Sequence, residues 1–400
     1  MHPERLAEIQ RAVSDDGLDG WLFCDFRGSD PIGRDILGLG EGLATRRWFY
    51  VIPACGEPRA LVSAVEPGVL AGLPGAARVY RTWQELHEGL RVLLTGMRRV
   101  AMQYSPNNDV PYVARVDAGT VELVRLCGVE VLTSADLVQR FEAVWSAEQY
   151  ASHTRAARAV REVVDAAFAA IRRGVRAEKA CGEGDIQRLI LDQFGARGLV
   201  THHPPIVAVG SHSADPHFQT PSSGGAAIDT GEFVLIDLWA KEPKGVYADI
   251  TWTGYVGPAV PERFAHVFEI VRRARDAGVT AARSAVRAQR PVRGCDVDAV
   301  VRGVIAAAGF GDRFVHRTGH SIGTEVHGNG ANIDGFETPD TRRLLRGTCF
   351  SIEPGIYLPG EFGVRSELNV FIDESDVIVT GNPVQAAVVA ILGDAPGMDT

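Results

Sequence analysis

The sequence predicts an α+β fold in which a smaller α/β domain precedes a larger one. Apolar strand-like runs and helical patterns alternate through the first 145 residues, whereas long helical patterns and paired apolar strands follow. Between the two parts, Ser146 and Gln149 have the spacing of a capping box that opens a long helix. We therefore expect one domain over residues 1–145 and a second over residues 146–400.

Composition narrows the class of protein. The chain has 400 residues, 46% of them hydrophobic and 23% charged, as in a globular protein with a large core. A net charge of −9 disfavours nucleic acid as a partner, and no apolar run reaches the roughly 18 residues of a membrane-spanning helix. The first residues form an amphipathic pattern with charges rather than a secretory signal. Six scattered cysteines without a CxxC pair indicate reduced thiols in a cytoplasmic protein.

The N-terminal part predicts a small α/β domain. Its strand-like runs are rich in aromatic and branched residues, with helical patterns between the later ones. These runs are WLFCDF (21–26), RWFYVI (47–52), RALVSA (59–64), RRVAMQ (98–103) and VEVLTS (129–134). The glycines of GLGEG (38–42) do not have the spacing of a phosphate-binding GxGxxG motif.

The C-terminal part predicts helices that cover an antiparallel sheet. After the helix that Ser146 opens, helices are expected around 185–196, 262–288 and 296–308, the last with Asp296 as its N-cap. The expected strands are PIVAVG (205–210), FVLIDLWA, VYADITWTGYV, TCFSIEPGIYL, FGVRSELNVFI and VIVT.

Two of these strands carry aspartates where a sheet should carry apolar residues. Asp237 lies in FVLIDLW and Asp249 in VYADITW, with the turn-forming residues EPKG between them. A three-residue loop centred on Pro243 would place Asp237 opposite Asp249, with Cβ atoms about 5 Å apart. Two like charges at that distance destabilise the sheet unless a cation lies between them.

A second strand pair repeats this pattern with glutamates. Glu353 in FSIEPGIYL and Glu367 in GVRSELNVF flank the turn sequence LPGEF. A loop centred on Gly360 would place Glu353 opposite Glu367.

The four acids together predict a site for two divalent metal ions. Taken singly, each acid fits a solvated edge residue or a turn cap. Together they carry four negative charges, which two divalent cations would balance. Between the two pairs lies VHRTGHSIGTEVHG, with the imidazoles of His316, His320 and His327. Carboxylates suit Mn²⁺, and an added imidazole extends the range to Co²⁺ or Zn²⁺.

The same passage contains a motif of a different enzyme class. GHSIG (319–323) matches the GxSxG nucleophile elbow of α/β-hydrolases. That elbow needs a following helix and then an acid and a histidine later in the chain, but His327, only six residues beyond Ser321, is the last histidine. We therefore expect that the chain is not a serine hydrolase.

At these residues the sequence resembles the pita-bread metallopeptidases: methionine aminopeptidase, Xaa-Pro aminopeptidase and prolidase. The resemblance covers residues 147–390, and the first 145 residues look like the creatinase-type domain of the proline-specific members. That domain disfavours methionine aminopeptidase. By motif, the resemblance implies metal ligands at Asp237, Asp249, His320, Glu353 and Glu367. It also implies functional histidines near the metals at His217, His316 and His327.

Three departures from the family pattern suggest a distinct subgroup. Trp239 follows the first aspartate in DLW, where the family has D-x-G. Trp252 in TWT replaces the arginine of TRT, and SEL replaces the family's acid-following-acid pattern after Arg365. The passages DFRGSDP and TRRWFYVIP resemble a short bacterial prolidase group, which favours Xaa-Pro dipeptides as substrates.

The resemblance implies a mechanism in which two metals, with Mn²⁺ expected and Co²⁺ or Zn²⁺ compatible, activate a water that attacks the carbonyl before proline. Glu353 is the expected general base, His327 the oxyanion stabiliser, and His217 and His316 position the substrate. Arg365, Arg46 or Arg47 would bind the substrate carboxylate, with Tyr357 also in the binding site. Xaa-Pro aminopeptidase activity on longer peptides and a metal-free binding protein are the alternatives. A homodimer is the expected assembly.

Overall fold

The protein was analysed as a computed structural model that describes residues 1–393 except residues 41, 43 and 180. The chain divides into two compact units, Met1–Glu142 and a second unit that begins at Ala143. Within the described residues, no helix combines the length and the apolar character that crossing a bilayer requires.

The first unit is a mixed six-stranded sheet with helices, as the alternating sequence pattern predicts. Along the sheet the strand order is β4-β3-β2-β1-β5-β6. The strands are β1 (Gly20–Asp25), β2 (Trp48–Pro53), β3 (Arg59–Ser63), β4 (Ala76–Tyr80), β5 (Arg99–Met102) and β6 (Glu130–Thr133). The helices are α1 (Pro3–Asp15), α2 (Pro31–Leu37), α3 (Trp83–Leu93), α4 (Ala118–Arg125) and α5 (Ala135–Glu142). Two apolar clusters form its core.

The second unit combines two four-stranded sheets, a two-stranded ribbon and long helices. Its helices are α6 (Ala147–Arg176), α7 (Glu183–Ala196), α8 (Glu262–Arg287) and α9 (Gly294–Ala307). Its strands are β7 (Ile206–Val209), β8 (Phe233–Ala240), β9 (Ala248–Tyr255), β10 (Ser321–Ile322), β11 (Cys349–Ile352), β12 (Gly355–Leu358), β13 (Phe362–Arg365), β14 (Leu368–Ile372), β15 (Val377–Thr380) and β16 (Val389–Ala390). The sheets have the orders β16-β9-β8-β7 and β10-β11-β14-β15, and β12 pairs with β13.

The helix starts follow local capping chemistry. The predicted capping box is confirmed, because the Ser146 hydroxyl accepts from the Gln149 N–H while the Gln149 side chain accepts from the Ser146 N–H. The expectation of Asp296 as the N-cap of α9 is wrong. Arg293 is the N-cap residue, and Asp296, three residues later, accepts the Arg293 N–H through its carboxylate at 3.1 Å. Its carboxylate therefore stabilises the same helix end from inside the first turn.

Each strand of the β8–β9 hairpin has two different faces. Alternate residues such as Val234, Ile236 and Ile250 pack with α6 and α7 in one apolar cluster. The intervening residues, among them Asp237 and Asp249, lie on the opposite face because side chains alternate along a strand. The helices thus cover one face of the sheet and leave the other for polar residues.

The expected register of this hairpin is wrong by two residues. Asp237 pairs with Thr251, and Asp249 pairs with Trp239, so the two aspartates are diagonal neighbours on one face rather than directly opposite. The reason is the connecting loop, which runs over residues 241–247 and is centred on Lys244 with a positive φ of 66°. The predicted loop of three residues centred on Pro243 was too short.

The register predicted for the glutamate pair is confirmed by the ladders on both sides of it. Ile352 pairs with Leu368, and Gly355 pairs with Arg365. Each predicted long strand is nevertheless interrupted at its glutamate. β11 ends at Ile352 and β12 begins at Gly355, since Pro354 has no N–H to donate to a ladder. β13 ends at Arg365 and β14 begins at Leu368.

The unusual Trp252 belongs to the helix-facing side of β9. It is 7% exposed and lies in the apolar cluster with α6 and α7. The guanidinium of Arg161 on α6 stacks over its ring at 3.7 Å. The tryptophan that replaces the family's arginine therefore points away from Asp249.

A buried histidine connects α6 to the sheets of the second unit. His153 is fully buried, its Nδ1 lies 2.7 Å from the carbonyl of Tyr247, and its Nε2 lies 2.7 Å from the hydroxyl of Thr380. Burial lowers the pKa of His153 to about 4, although the hydrogen bond to Tyr247 opposes that shift. The ring is therefore neutral in the folded protein at neutral pH.

This histidine makes stability depend on pH. In the unfolded chain, His153 binds a proton below its ordinary pKa of about 6.5. In the folded protein its pKa is about 4, so between these pH values only the unfolded state is protonated at this residue. Between pH 7 and pH 5 we expect the wild type to lose about 2 kcal/mol more unfolding free energy than the variant His153→Gln. Urea unfolding at the two pH values measures this. The control His266→Gln, at an exposed position of α8, should follow the wild type; parallel losses in all three proteins would contradict the assignment.

Candidate metal centre

The five sequence-predicted ligand residues meet in the second unit, where the two sheets adjoin. Asp237 comes from β8, Asp249 from β9, and His320 directly precedes β10. Glu353 and Glu367 occupy the two strand interruptions. All except Glu353 are buried, with exposures of 3–8%, and the side chain of Glu353 is 15% exposed.

His320 lies between two of the carboxylates. Its Nε2 is 3.5 Å from Oδ2 of Asp249 and 3.4 Å from Oε1 of Glu353. Its Nδ1 faces the carbonyl of Ser321 at 3.2 Å, so Nδ1 carries the proton and Nε2 keeps its lone pair. One potential ligand atom each of Asp249, His320 and Glu367 lies within 4.8 Å of the other two.

A threonine connects the remaining carboxylates. The hydroxyl of Thr251 lies 3.1 Å from Oδ1 of Asp237 and 2.8 Å from Oε2 of Glu367. It also accepts a hydrogen bond from Nε of Arg365 at 3.0 Å. Thr251 is a residue that sequence analysis did not single out, although its position two residues after Asp249 places it on the same face of β9.

Arg365 inserts its guanidinium into the carboxylate cluster. Nη2 forms an ion pair with Oδ2 of Asp237 at 2.5 Å, and Nε lies 3.9 Å from Oε2 of Glu353. Nη1 donates to the Tyr357 hydroxyl and to the Pro216 carbonyl, both at 3.2 Å. The guanidinium is thus occupied by protein groups, a placement that sequence analysis did not predict.

Tyr357 links Arg365 to His316 through hydrogen bonds of its hydroxyl. Its hydroxyl, which accepts from Arg365, donates to Nε2 of His316 at 2.8 Å, and Nδ1 of His316 donates to the Arg317 carbonyl at 2.7 Å. Burial, together with the charge of Arg365, lowers the pKa of His316 to about 3. His316 is therefore a neutral ring fixed in one tautomer.

The carboxylates resist ionisation in this environment. Burial raises the pKa values of Asp249 and Glu367 well above the ordinary range, and the charges of neighbouring carboxylates raise them further. Burial also raises the pKa of Glu353 to about 7, against the opposing effect of Arg365. Oδ1 of Asp249 and Oε1 of Glu367 are buried oxygens with no hydrogen-bond donor among the described residues.

These properties fit divalent cations. Buried acceptor-only oxygens without donors, a deprotonated imidazole nitrogen and mutually repelling carboxylates are the donor set that Mn²⁺, Co²⁺ or Zn²⁺ can use. Asp249, Glu367 and His320 would contact such an ion directly. Asp237 and Glu353 adjoin them through Thr251 and His320.

The two other predicted histidines border this cluster. The ring of His327 lies 4.3 Å from that of His320, centroid to centroid. His327 is an exposed residue, but the groups packed around its ring desolvate it and, together with the charge of Arg317, lower its pKa to about 4. His217 is exposed and lies close enough to His316 and His327 to interact electrostatically with both rings.

The buried side chain of Glu183 holds the loop that carries His217 in place. Glu183 on α7 is fully buried and accepts from Nδ1 of His212 at 2.8 Å and from the Val209 N–H at 2.9 Å. The ring of His212 stacks on Phe218 at 4.4 Å. These contacts fix both ends of the 210–218 loop, in which His217 lies.

Two further predicted residues belong to the first unit. Arg46 and Arg47 are both exposed. The Arg46 N–H donates to Glu66, and its Nη1 donates to the Thr45 hydroxyl at 3.1 Å. Their role in binding a substrate carboxylate stays a prediction.

Ser321 of the GxSxG motif is unsuited to nucleophilic attack. It is 1% exposed, and its hydroxyl accepts the Gly330 N–H at 3.0 Å. It lies in the short strand β10 rather than at a turn between a strand and a helix. The structure therefore agrees with the argument from chain order against a serine hydrolase.

Polar side chains outside the predicted set hold the strands of the cluster together. The Asn369 amide on β14 accepts the Asp249 N–H at 3.0 Å and donates to the Asp249 carbonyl at 2.6 Å. Behind Glu367, the Ser366 hydroxyl accepts from the buried Arg275 of α8 at 2.7 Å. Asn369 could have been found from the sequence, because it is a polar residue within the apolar run LNVF. Nothing in the sequence pointed to Arg275.

Comparison with known proteins gives matches along nearly the whole chain. The profile of metallopeptidase family M24 matches residues 151–374. A probable dipeptidase PepE of Mycobacterium tuberculosis is 27% identical over 389 residues, which cover 96% of this chain and 95% of that protein. An Xaa-Pro dipeptidase of Lactobacillus helveticus is 34% identical over 201 residues, 50% of this chain and 49% of that protein. The crystal structure of dipeptidase PepE from Mycobacterium ulcerans aligns over 97% of both chains, with 26% identity and a TM-score of 0.72.

Repulsion within the cluster predicts an unusual effect on stability. In chelator-treated protein, burial and the neighbouring carboxylates oppose ionisation of Asp249, whereas the unfolded chain ionises this group freely, and Asp249→Asn removes the resulting cost of folding. We therefore expect the variant to unfold at a higher urea concentration than the wild type at neutral pH, by on the order of 1 kcal/mol.

The control for this measurement has the opposite sign. Asp376 forms ion pairs with Arg283 and Arg287, and hydrogen bonds from Arg287 and from the Val377 N–H lower its pKa to about 2. Asp376→Asn should therefore destabilise the protein. A loss of stability in both variants would contradict repulsion as the dominant effect at Asp249.

Proposed function

Since the chain belongs to metallopeptidase family M24, we propose that it hydrolyses the peptide bond before proline in Xaa-Pro dipeptides, with two divalent metal ions. Family membership makes the protein a peptidase that depends on divalent metal ions, and it confirms the expected pita-bread fold, with which the solved neighbour agrees. The observation that carries the proposal is the meeting of five potential ligands in one desolvated cluster, Asp237, Asp249, His320, Glu353 and Glu367.

Each ligand candidate has a role that follows from its surroundings. When bound, divalent ions would lower the pKa of a water and polarise the substrate carbonyl. Asp249 and Glu367 each have one buried oxygen without a hydrogen-bond donor among the described residues, so these two carboxylates would contact the ions directly. Asp237 would hold one ion, and His320 with Glu353 the other.

Glu353 is the candidate general base. It is the only one of the five ligand candidates that is not fully buried, so a water can reach its carboxylate, which can take up a proton and return it. The Ser351 hydroxyl, 3.1 Å from Oε1 of Glu353, orients that carboxylate. The leaving proline nitrogen carries no hydrogen in the peptide, so it needs a proton, which Glu353 would deliver.

The histidines would bind the reacting groups rather than the ions. His327, beside His320, would stabilise the oxyanion that forms on the attacked carbonyl. His316, fixed by Tyr357, and His217 on the anchored 210–218 loop would position the carbonyl and the proline ring.

Binding of a dipeptide requires a cation for its free carboxylate. Arg365 already donates to Asp237, Thr251, Tyr357 and the Pro216 carbonyl, so it would have to exchange one of these partners for the substrate. The exposed Arg46 and Arg47 are the other candidates. Arg317, whose charge acts on Glu353 and His327, is a further cation near the site.

Two relatives support the dipeptide assignment. One that spans nearly the whole chain is named a probable dipeptidase, and one that matches half of it is named an Xaa-Pro dipeptidase. The alternative is Xaa-Pro aminopeptidase activity on longer peptides, and a putative Xaa-Pro aminopeptidase of Mycoplasma pneumoniae is 34% identical over 47% of this chain.

The assignment of Asp249 as a metal ligand predicts a loss of activity together with a loss of metal. We expect Asp249→Asn to reduce dipeptide hydrolysis at least about 100-fold and to bind fewer ions per chain, measured by elemental analysis after dialysis. Asp229→Asn, at an exposed position, is the matched control and should change neither. Full activity in Asp249→Asn with unchanged metal content would refute the assignment.

Substrate length separates the two peptidase activities. After loading with Mn²⁺, Co²⁺ or Zn²⁺, we expect cleavage of Ala-Pro and little cleavage of a tripeptide that begins with Ala-Pro. The reason is that a cation placed for the dipeptide carboxylate finds an uncharged amide in the longer peptide. Chromatography of the products measures both reactions. Equal cleavage would favour the aminopeptidase, and no cleavage with any metal would favour a binding protein.

A further inference from the structure

A tryptophan stands beside the carboxylate cluster on the face of β8 that carries Asp237. Trp239 is two residues further along the strand than Asp237 and pairs directly with Asp249. Residues directly opposite in an antiparallel ladder have Cβ atoms about 5 Å apart. The indole therefore lies next to a candidate metal ligand and not in the helix-facing core.

Trp239 is also the one residue of β8 that is not buried. Its Nε1 is buried and has no acceptor among the described residues, so the exposed part of the side chain is carbon. The ring packs against an apolar cluster that contains Tyr247 and Ile322, and Val326 packs against the same cluster. These contacts hold the indole in place and make it an apolar wall rather than a mobile surface side chain.

The wall lies at one end of the cluster. Asp237 faces the other end, where Arg365, Tyr357 and His316 are linked by hydrogen bonds. In the proposed reaction His316 and His217 hold the carbonyl and the proline ring. The residue before proline therefore extends the opposite way, towards Trp239 and Val326.

We infer that Trp239 restricts the residue before proline to a small side chain, such as that of glycine, alanine or serine. The inference rests on the proposed function. An indole beside Asp249 fills space that the glycine of the D-x-G pattern would leave open, and its packed ring cannot turn aside without losing its contacts. Excluding a side chain by a few carbon atoms discriminates by about 10- to 200-fold.

The test compares two dipeptides in Mn²⁺-loaded enzyme. We expect the wild type to have a kcat/KM for Ala-Pro at least about tenfold higher than for Leu-Pro. In Trp239→Gly the ratio of Leu-Pro to Ala-Pro should rise at least about tenfold, and in Trp239→Leu, which keeps apolar packing, by a smaller factor. A ratio of two substrates measured on one preparation does not depend on how much of the protein is folded.

Trp252→Phe is the matched control. Trp252 lies on the neighbouring strand but faces α6 and Arg161, so its replacement should lower stability and leave the ratio unchanged. Equal cleavage of both dipeptides by the wild type, or an unchanged ratio in both Trp239 variants, overturns the inference while the proposed function stands. Two other results would overturn both the inference and the proposed function. In one, the wild type cleaves neither dipeptide but releases the N-terminal residue of longer Xaa-Pro peptides. In the other, it cleaves no peptide.

Discussion

Mutual repulsion among four buried carboxylates is the constraint on which the second unit depends. Arg365 forms an ion pair with one of them and the charge of Arg317 also acts on Glu353, but ionisation of all four would still leave an excess of negative charge in a desolvated volume. The surrounding polar groups cannot remove that excess, because the Thr251 hydroxyl and the Asn369 amide carry no net charge. Divalent cations would relieve this repulsion, so the same ions would serve both the stability of the unit and its chemistry.

The strand interruptions at Glu353 and Glu367 bring these glutamates close to the other carboxylates. At Glu353 the ladder to the partner strand is broken, and the backbone N–H of Glu353 donates instead to the Thr318 carbonyl at 2.8 Å, which draws in the segment with His320. At Glu367 the backbone N–H donates to the Thr251 carbonyl at 3.3 Å, which ties this strand to β9. At each interruption, the glutamate N–H therefore forms a hydrogen bond to another segment of the chain. The acids lie where these segments come together.

The sequence predicted the acids well because charge in an apolar strand is a local signal, and their geometry less well because pairing depends on loops. The turn at Gly360, which has a positive φ, gave the correct register for Glu353 and Glu367. The seven-residue loop around Lys244 has no comparable signature, and the register of the aspartates was wrong. The ion pair of Arg365 with Asp237 was not predictable either, because a long side chain can reach several partners that only the tertiary structure selects.

The three departures from the family pattern lie in three different environments. Their positions distinguish residues that act in the reaction from residues that determine the shape of the site. Trp252 faces the helices, where any large side chain that packs against Arg161 keeps the sheet in place. Leu368, which stands where the family pattern has a second acid, is buried in an apolar cluster with Ile352 and Val370. Only Trp239 shares the face of the carboxylates. Ligand atoms fix the charge that the reaction needs and tolerate little change, whereas the walls beside them fix which substrate fits. A subgroup can therefore keep every ligand and still differ in what it cleaves.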